Sequence, residues 1–209
     1  MQRIDHVVYA VRDLDAAARR LLDEHGLASI PGGRHPRWGT ANRIVPLGDS
    51  YLELLAVEDP SVAPALSGAL LDATAEGDRW YSICVGDDDL EATAARLGLE
   101  VRPGMRARPD GAEIRWRGAG FDDPARPPWL PFFIAWDVPA DLLPGRAAAP
   151  AHPSGVNGIE AVEVGGDRAT LEAWLGDDGH GLPIVVVDDE TGVRAVRLVT
   201  DRLDVIRVS

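Results

Sequence analysis

Residues 4–14 of the sequence, IDHVVYAVRDL, contain the pattern that decides the fold. Residues 4–11 form an apolar run rich in β-branched side chains, which predicts a buried strand. Asp13 is placed to cap a helix, and apolar residues then recur at helical spacing until Gly26. The sequence therefore predicts a strand followed directly by a helix.

Two more strands are predicted after this helix. Residues 42–47 and 51–57 are apolar segments joined at Gly48-Asp49, which is typical of a β-hairpin. The Gly- and Pro-rich residues 32–42 are predicted to form a loop in front of the hairpin. The first 60 residues then form one α/β unit.

The same order of elements returns further along the chain. Residues 80–85 predict a strand, 89–97 a helix, and 113–117 and 130–136 two strands. The helix starts match best, since DLDA at residues 13–16 corresponds to DLEA at residues 89–92. An internal repeat is therefore expected.

These patterns predict an α+β fold of repeated βαβββ modules. We expect a first module at residues 1–60 and a second at 78–137. A Pro- and Ala-rich linker follows at 138–156, and a third, less regular module at 157–209. Because one module leaves a sheet edge open, modules are expected to pair within the chain, with a homodimer as the alternative.

Composition limits the functional classes. The formal net charge of −13 is spread over short acidic clusters, and no basic stripe is present, so no nucleic-acid partner is expected. No apolar run approaches the ~20 residues that span a bilayer, so no membrane association is expected. The single cysteine, Cys84, is predicted to be an inert core thiol, which is typical of a cytoplasmic protein.

His6 and Glu53 are the first candidates for catalysis. Each lies in the middle of a predicted apolar strand, where an unpaired polar group is costly. An imidazole and a carboxylate on neighbouring strands could share a metal, a proton or a ligand hydroxyl. Taken singly, such a histidine is more often a hydrogen-bonded core residue, and such a glutamate often faces solvent.

The predicted loop at residues 32–42 supplies further candidates. His35 could act as an acid, a base or a donor, Trp38 could form an apolar wall, and Thr40 and Asn42 could bind a ligand. The bland alternative is a tight loop that packs one tryptophan onto the sheet. Trp136 is a ligand-binding candidate on the last strand of the second module, although such aromatic residues are more often core.

Several of these segments resemble the glyoxalase-like branch of the vicinal oxygen chelate superfamily. Residues 4–14 resemble the opening strand and helix start of its module, and 51–54 resemble its last strand. Residues 32–43, residues 130–136 and His152-Pro153 are similar to the glyoxalase-like branch in particular. The resemblance implies that curved mixed sheets of these modules enclose a cavity. In metal-dependent relatives, the histidine of the first strand and the glutamate or histidine of the last strand are metal ligands, so the resemblance implies this role for His6 and Glu53.

The second module departs from this pattern. Alignment puts Ser82 at the position of His6 and Ala135 near that of Glu53, and neither is a good ligand. Glu160 or Glu163 of the third module could supply a further carboxylate. Two protein ligands hold a divalent ion weakly, so a metal cofactor is not favoured, and the identity of any cofactor stays open.

Two functions therefore remain open from the sequence. The first is an enzyme of isomerase, lyase or dioxygenase type that acts on a small oxygenated metabolite at His6 and Glu53. Without a metal, Glu53 is expected to have a raised pKa and to act as the base, with His35 or His6 as donor. The second is a non-catalytic protein of the same fold that binds or sequesters a small molecule.

Overall fold

A computed structural model of the chain describes residues 1–108, 111 and 113–209. Four helices and twelve strands are described in this part of the chain. The helices are α1 Leu14–His25, α2 Pro64–Ala73, α3 Leu90–Leu97 and α4 Arg168–Leu175. The strands are β1 Gln2–Ala10, β2 Ile30–His35, β3 Thr40–Pro46, β4 Tyr51–Val57, β5 Arg79–Asp87, β6 Val101–Ala107, β7 Glu113–Ala119, β8 Phe132–Trp136, β9 Val156–Gly165, β10 Ile184–Val187, β11 Gly192–Thr200 and β12 Val205–Val208.

Helix α1 begins and ends at the predicted residues. The Asp13 side chain accepts hydrogen bonds from the backbone N–H groups of Asp15 and Ala16, which would otherwise lack partners. Gly26 ends the helix with φ of 63°, a left-handed conformation that glycine adopts without strain. Asp89 and Gly98 cap α3 in the same way.

The first eight strands close into one barrel with the order β1-β4-β3-β2-β6-β7-β8-β5. Within each half, the first and last strands pair in parallel, as β1 does with β4 and β5 with β8. The halves join where β1 pairs antiparallel with β5 and where Arg34 of β2 faces Ala107 of β6. The predicted fold class, α+β with repeated βαβββ modules and curved mixed sheets, is confirmed.

The prediction of a loop at residues 32–42 is wrong for most of its length. Residues 30–35 form β2, and only a short turn separates them from β3. The glycines that suggested a loop instead allow close strand contact. A methyl group on Gly33 would lie 2.1 Å from the Ala107 carbonyl oxygen, across the seam between the two halves. Such approaches are a recognised use of glycine within strands.

The last four strands form a separate sheet with the order β10-β9-β11-β12. Its first strand, β9, lies in the middle of the sheet between β10 and β11. In the first half of the barrel, by contrast, the first strand β1 pairs with the last strand, β4. The sheet and α4 pack on the outside of the barrel in one continuous apolar core. Indole hydrogen bonds pin this contact, with Trp80 donating to the Val208 carbonyl at 3.0 Å and Trp174 to the Pro131 carbonyl at 2.8 Å.

His152, in the segment that links the barrel to this sheet, has a structural role. Its Nδ1 accepts from the Ala28 N–H at 3.0 Å, so Nε2 carries the proton and donates to the Pro46 carbonyl at 2.7 Å. Across residues 1–108, 111 and 113–209, no helix combines the length and apolar character needed to cross a lipid bilayer.

Candidate functional site

The alternation of side chains along the strands decides what the barrel encloses. On β1, Val7 and Tyr9 belong to the outer core beneath the helices, whereas Val8 and Ala10 belong to an inner cluster. On β4, Leu54 lies in the outer core and Leu55 in the inner cluster. His6 and Glu53 therefore point into the barrel.

Inside the barrel, a pocket with aromatic walls surrounds these two side chains. It contains about 430 Å³ of space free of protein atoms, part of it open to solvent. Trp38, Phe121 and Trp136 are partly exposed, while Trp116 and Phe132 are buried. The polar groups in the pocket lining are the side chains of His6, His35, Asn42, Tyr51, Glu53 and Arg106.

His6 is held between two carboxylates. Its Nδ1 lies 2.7 Å from Asp5 Oδ1, and its Nε2 lies 3.5 Å from Glu53 Oε2. Burial alone would lower the pKa of His6, but the neighbouring Cys84 sulfur and the hydrogen bonds to Asp5 and Glu53 raise it well above its ordinary value. His6 is therefore an imidazolium at neutral pH.

A β-bulge allows Asp5 to reach His6. The pairing of β1 with β5 shifts register between Ile4 and His6, so Asp5 is an extra residue in the ladder. Its carboxylate also accepts a hydrogen bond from Trp136 Nε1 at 2.7 Å. Asp5 thus fixes both the histidine ring and one aromatic wall.

Glu53 has partners on three sides. Asn42 Nδ2 donates to its Oε1 at 2.5 Å, and His35 Nε2 lies 3.9 Å from the same oxygen. Burial would raise the pKa of Glu53, but the hydrogen bond from His6, the nearby imidazoles and the Asn42 amide lower it to about 2. The expectation of a raised pKa is therefore wrong, because the sequence did not show these partners together.

His35 differs from His6 in its protonation state. Burial lowers the pKa of His35 to about 4, and Arg106 and His6 add to this effect against the attraction of Glu53. Its Nδ1 lies 3.0 Å from the Thr40 hydroxyl. At neutral pH the pocket therefore contains one imidazolium, His6, and one neutral imidazole, His35.

The structure brings most of the predicted site residues into one pocket. His6, Glu53, His35, Trp38, Asn42 and Trp136 all line it. Thr40 lies behind His35 and contacts its ring. The sequence did not single out two residues of the site. The only signal for Asp5 was its position next to His6. Arg106 lies on β6, a strand that was not predicted.

The residues present do not fit the two-module metal site of the metal-dependent relatives. In the first half of the barrel, Val8 of β1 pairs with Glu53 of β4. In the second half, Cys84 of β5 pairs in the same way with Phe132 of β8. Phe132 therefore occupies the position that corresponds to Glu53. The alignment to Ala135 was therefore shifted by a few residues. Ser82 donates to the Pro128 carbonyl at 2.9 Å and accepts from Arg126 at 3.2 Å.

Other candidate ligands are also engaged. Glu160 and Glu163 pair with Arg197 and Arg207 in the outer sheet. Asp5, His6 and Cys84 offer ligand atoms within 4.8 Å of one another, but burial raises the pKa of the Cys84 thiol to about 12. An imidazolium has no free nitrogen lone pair to give to a metal, and a thiol becomes a metal ligand only after it loses its proton.

The model of a family described as glyoxalase-like domain matches residues 4–177 of the chain. The protein belongs to this glyoxalase-like family. The resemblance to glyoxalase-like proteins, predicted from the sequence, is confirmed. No curated protein matches the sequence significantly.

Solved structures with similar folds include a hypothetical protein from Staphylococcus aureus. It is 18% identical with a TM-score of 0.62, and the match covers 100% of this chain and 86% of that one. Methylmalonyl-CoA epimerase from Streptomyces coelicolor is 23% identical with a TM-score of 0.48, covering 65% of this chain and 98% of that one. The epimerase from Mycobacterium tuberculosis is 22% identical with a TM-score of 0.46, covering 65% and 88%. At 18% identity, the likeness of this glyoxalase-like protein to the Staphylococcus aureus structure shows a shared fold alone.

Proposed function

We propose that this glyoxalase-like protein is an enzyme that moves a proton next to a carbonyl group in a small oxygenated metabolite. The observation that supports this is the position of the Glu53 carboxylate between an imidazolium and a neutral imidazole in an aromatic pocket. An acid and a base with opposite protonation states are what enolisation requires.

The reaction would begin with a carbonyl oxygen of the substrate at His6 Nε2 and the adjacent C–H group at Glu53. His6 would donate its proton to the oxygen as Glu53 takes the proton from carbon, which yields an enol and conserves all protons. As His6 loses its charge, the main cause of the low Glu53 pKa disappears, so Glu53 becomes a stronger base during the step.

The surrounding residues would keep this pair in position. Asp5 fixes the His6 ring with Nε2 toward Glu53, and Asn42 fixes one carboxylate oxygen. The aromatic walls would exclude water and hold the apolar part of the substrate. Returning the proton to the same carbon or a neighbouring one would give an isomerase, and loss of a leaving group from the enol would give a lyase.

A second function, binding without turnover, is favoured by one observation. With a pKa of about 2 for Glu53 and about 4 for His35, both groups are weak bases in the free pocket. A binding protein needs only the aromatic walls and the fixed polar groups. Turnover therefore separates the two functions.

The test is deuterium exchange. The protein would be incubated in D₂O with a panel of small 2-oxo and 2-hydroxycarbonyl compounds, and NMR would follow the loss of the signal of the proton next to the carbonyl. We expect exchange that Glu53→Gln slows by about 10²-fold or more, whereas Glu58→Gln, on the exposed outer surface, has no effect. Saturable binding without exchange would support the second function and contradict the first.

A further inference from the structure

Arg106 is a buried cation that the proposed proton transfer does not use. It lies on β6, is only 5% exposed, and lines the pocket. The one hydrogen bond that its side chain makes within the described part of the chain is a long one, from Nη1 to Asn42 Oδ1 at 3.5 Å. No carboxylate among the described residues forms an ion pair with it, although a guanidinium has five N–H donors.

Arg126 shows how this protein satisfies a buried arginine that has a structural role. It is 6% exposed and lies in the loop between β7 and β8. Its Nε donates to the Gly120 carbonyl at 2.6 Å, and its Nη1 contacts the carbonyls of Pro127, Pro128 and Leu130 and the Ser82 hydroxyl. Among the described residues, no backbone carbonyl accepts a hydrogen bond from the Arg106 side chain, which leaves its donors available to a ligand.

The surroundings of Arg106 maintain its position. Asn42 donates to Glu53 and accepts from Arg106, so a single amide bridges the proposed base and the guanidinium. Gly32 leaves the space for this bridge, because a methyl group there would lie 2.1 Å from Asn42 Oδ1 and 2.9 Å from Arg106 Nη1. The backbone at Gly32 therefore accommodates a guanidinium that faces the pocket.

We infer that Arg106 binds an anionic oxygen of the ligand, and that the ligand is a small carboxylate with an aromatic or similarly flat apolar body. The inference rests on the pocket of the proposed function and specifies its substrate class. The carboxylate would lie on Arg106, beside the Asn42 amide, and the apolar body between the tryptophans. A buried guanidinium and a carboxylate form strong charge-assisted hydrogen bonds, often two in parallel.

The aromatic lining of the pocket agrees with such a ligand. Trp38, Trp116 and Trp136 could each pack against that ring. The competing explanation is that Arg106 only balances the charge of Glu53 through space, in which case a ligand's charge would not matter.

The test compares two unreactive probes of the same shape, phenylacetate and phenylacetamide. Their dissociation constants would be measured by calorimetry and by quenching of tryptophan fluorescence. We expect the native protein to bind phenylacetate about tenfold or more tightly. Equal binding of the two probes, or binding of neither up to its solubility, would overturn the inference.

Variants then assign the preference to Arg106. Arg106→Met removes the charge and keeps the length, and should abolish the preference, while Gly32→Ala should weaken it by displacing the guanidinium. Arg115→Met, on the neighbouring strand and outside the pocket, should preserve it. A preference for phenylacetate that survives in Arg106→Met contradicts the inference. A variant that binds the probe is folded, so misfolding cannot explain that result.

The result is separable from that of the exchange experiment. Probe binding needs no base, so Glu53→Gln should retain the preference for phenylacetate. A native protein that prefers the acid but catalyses no exchange contradicts the enzyme function only. Exchange with neutral substrates, together with no preference between the probes, contradicts only the role of Arg106.

Discussion

Phe132 occupies in the second half of the barrel the register position that Glu53 occupies in the first. Both side chains reach the same pocket, and the Phe132 ring packs edge-on against His6 with 5.6 Å between ring centroids. An internal repeat that could present two equivalent sets of polar groups therefore presents one polar set and one apolar set. Apart from Arg106 on β6, the polar groups of the pocket come from the first half of the barrel, and apart from Trp38 the aromatic wall comes from the second.

This asymmetry predicts that the purified protein binds less than one equivalent of divalent metal. Ser82 and Phe132 replace the second pair of ligands, and a site with two protein ligands exchanges its ion readily. Elemental analysis after extensive dialysis measures the content. One equivalent of metal that is lost in both His6→Ala and Glu53→Gln would contradict the prediction.

The fold could be predicted from the sequence because its signals are local. A β-branched run followed by a capped helix occurs twice, and the matching DLDA and DLEA segments show the repeat. Strands β2 and β6 were missed because they are rich in glycine, proline and arginine and pair across the seam of the barrel. Their pairing depends on closure of the barrel, which no local pattern expresses.

The site was predictable to the extent that strand alternation decides it. His6 and Glu53 lie in the middle of neighbouring strands, so both could be expected on one face. Asp5 should point away from His6 by simple alternation, and only the bulge at this residue brings it to the ring. Arg106 was missed together with its strand, and the Glu53 pKa was misjudged because the partners that lower it come from other strands.

Acid should destabilise the protein through His35. The folded state depresses its pKa from 6.5 to about 4, so the unfolded chain binds a proton more readily. The stability is fully present above pH 6.5 and is lost as the pH falls toward 4, by up to about 3 kcal/mol.

Urea unfolding at a series of pH values, in the native protein and in His35→Gln, measures this effect. The variant should lose less stability between pH 6.5 and 4. Glu53 contributes at lower pH, since its pKa of about 2 lies below the ordinary 4.5, and its effect is lost only as the pH falls through this lower window. Identical slopes for the two proteins between pH 6.5 and 4 would rule out a buried neutral His35.

Asp5→Asn should lower the pKa of His6. The Asp5 carboxylate accepts the hydrogen bond from His6 Nδ1 and stabilises the imidazolium, and an amide carries no charge to do so. NMR titration of the His6 ring would report the shift directly, and the alkaline limb of any pH–rate profile should move to lower pH with it. Asp88→Asn, at an exposed ion pair with Arg3, is the matched control and should leave His6 unchanged.

Gly33→Ala should destabilise the barrel at the seam between its halves. Gly33 has φ of 149°, and an added methyl group would meet the Ala107 carbonyl oxygen at 2.1 Å, so β2 and β6 would have to separate. Backbone strain and a broken junction together should cost about 3 kcal/mol or more of unfolding free energy.

Gly98→Ala is the control, since Gly98 also has a positive φ, 68°, but nothing lies within 4 Å of the added methyl group. That variant should lose only about 1 kcal/mol. Denaturant unfolding of both variants gives the comparison, and equal losses would show that the contact at the seam does not matter. Because Gly33 lies next to Gly32 on the same strand, the Gly33 variant should also weaken ligand binding, whereas the Gly98 variant should not.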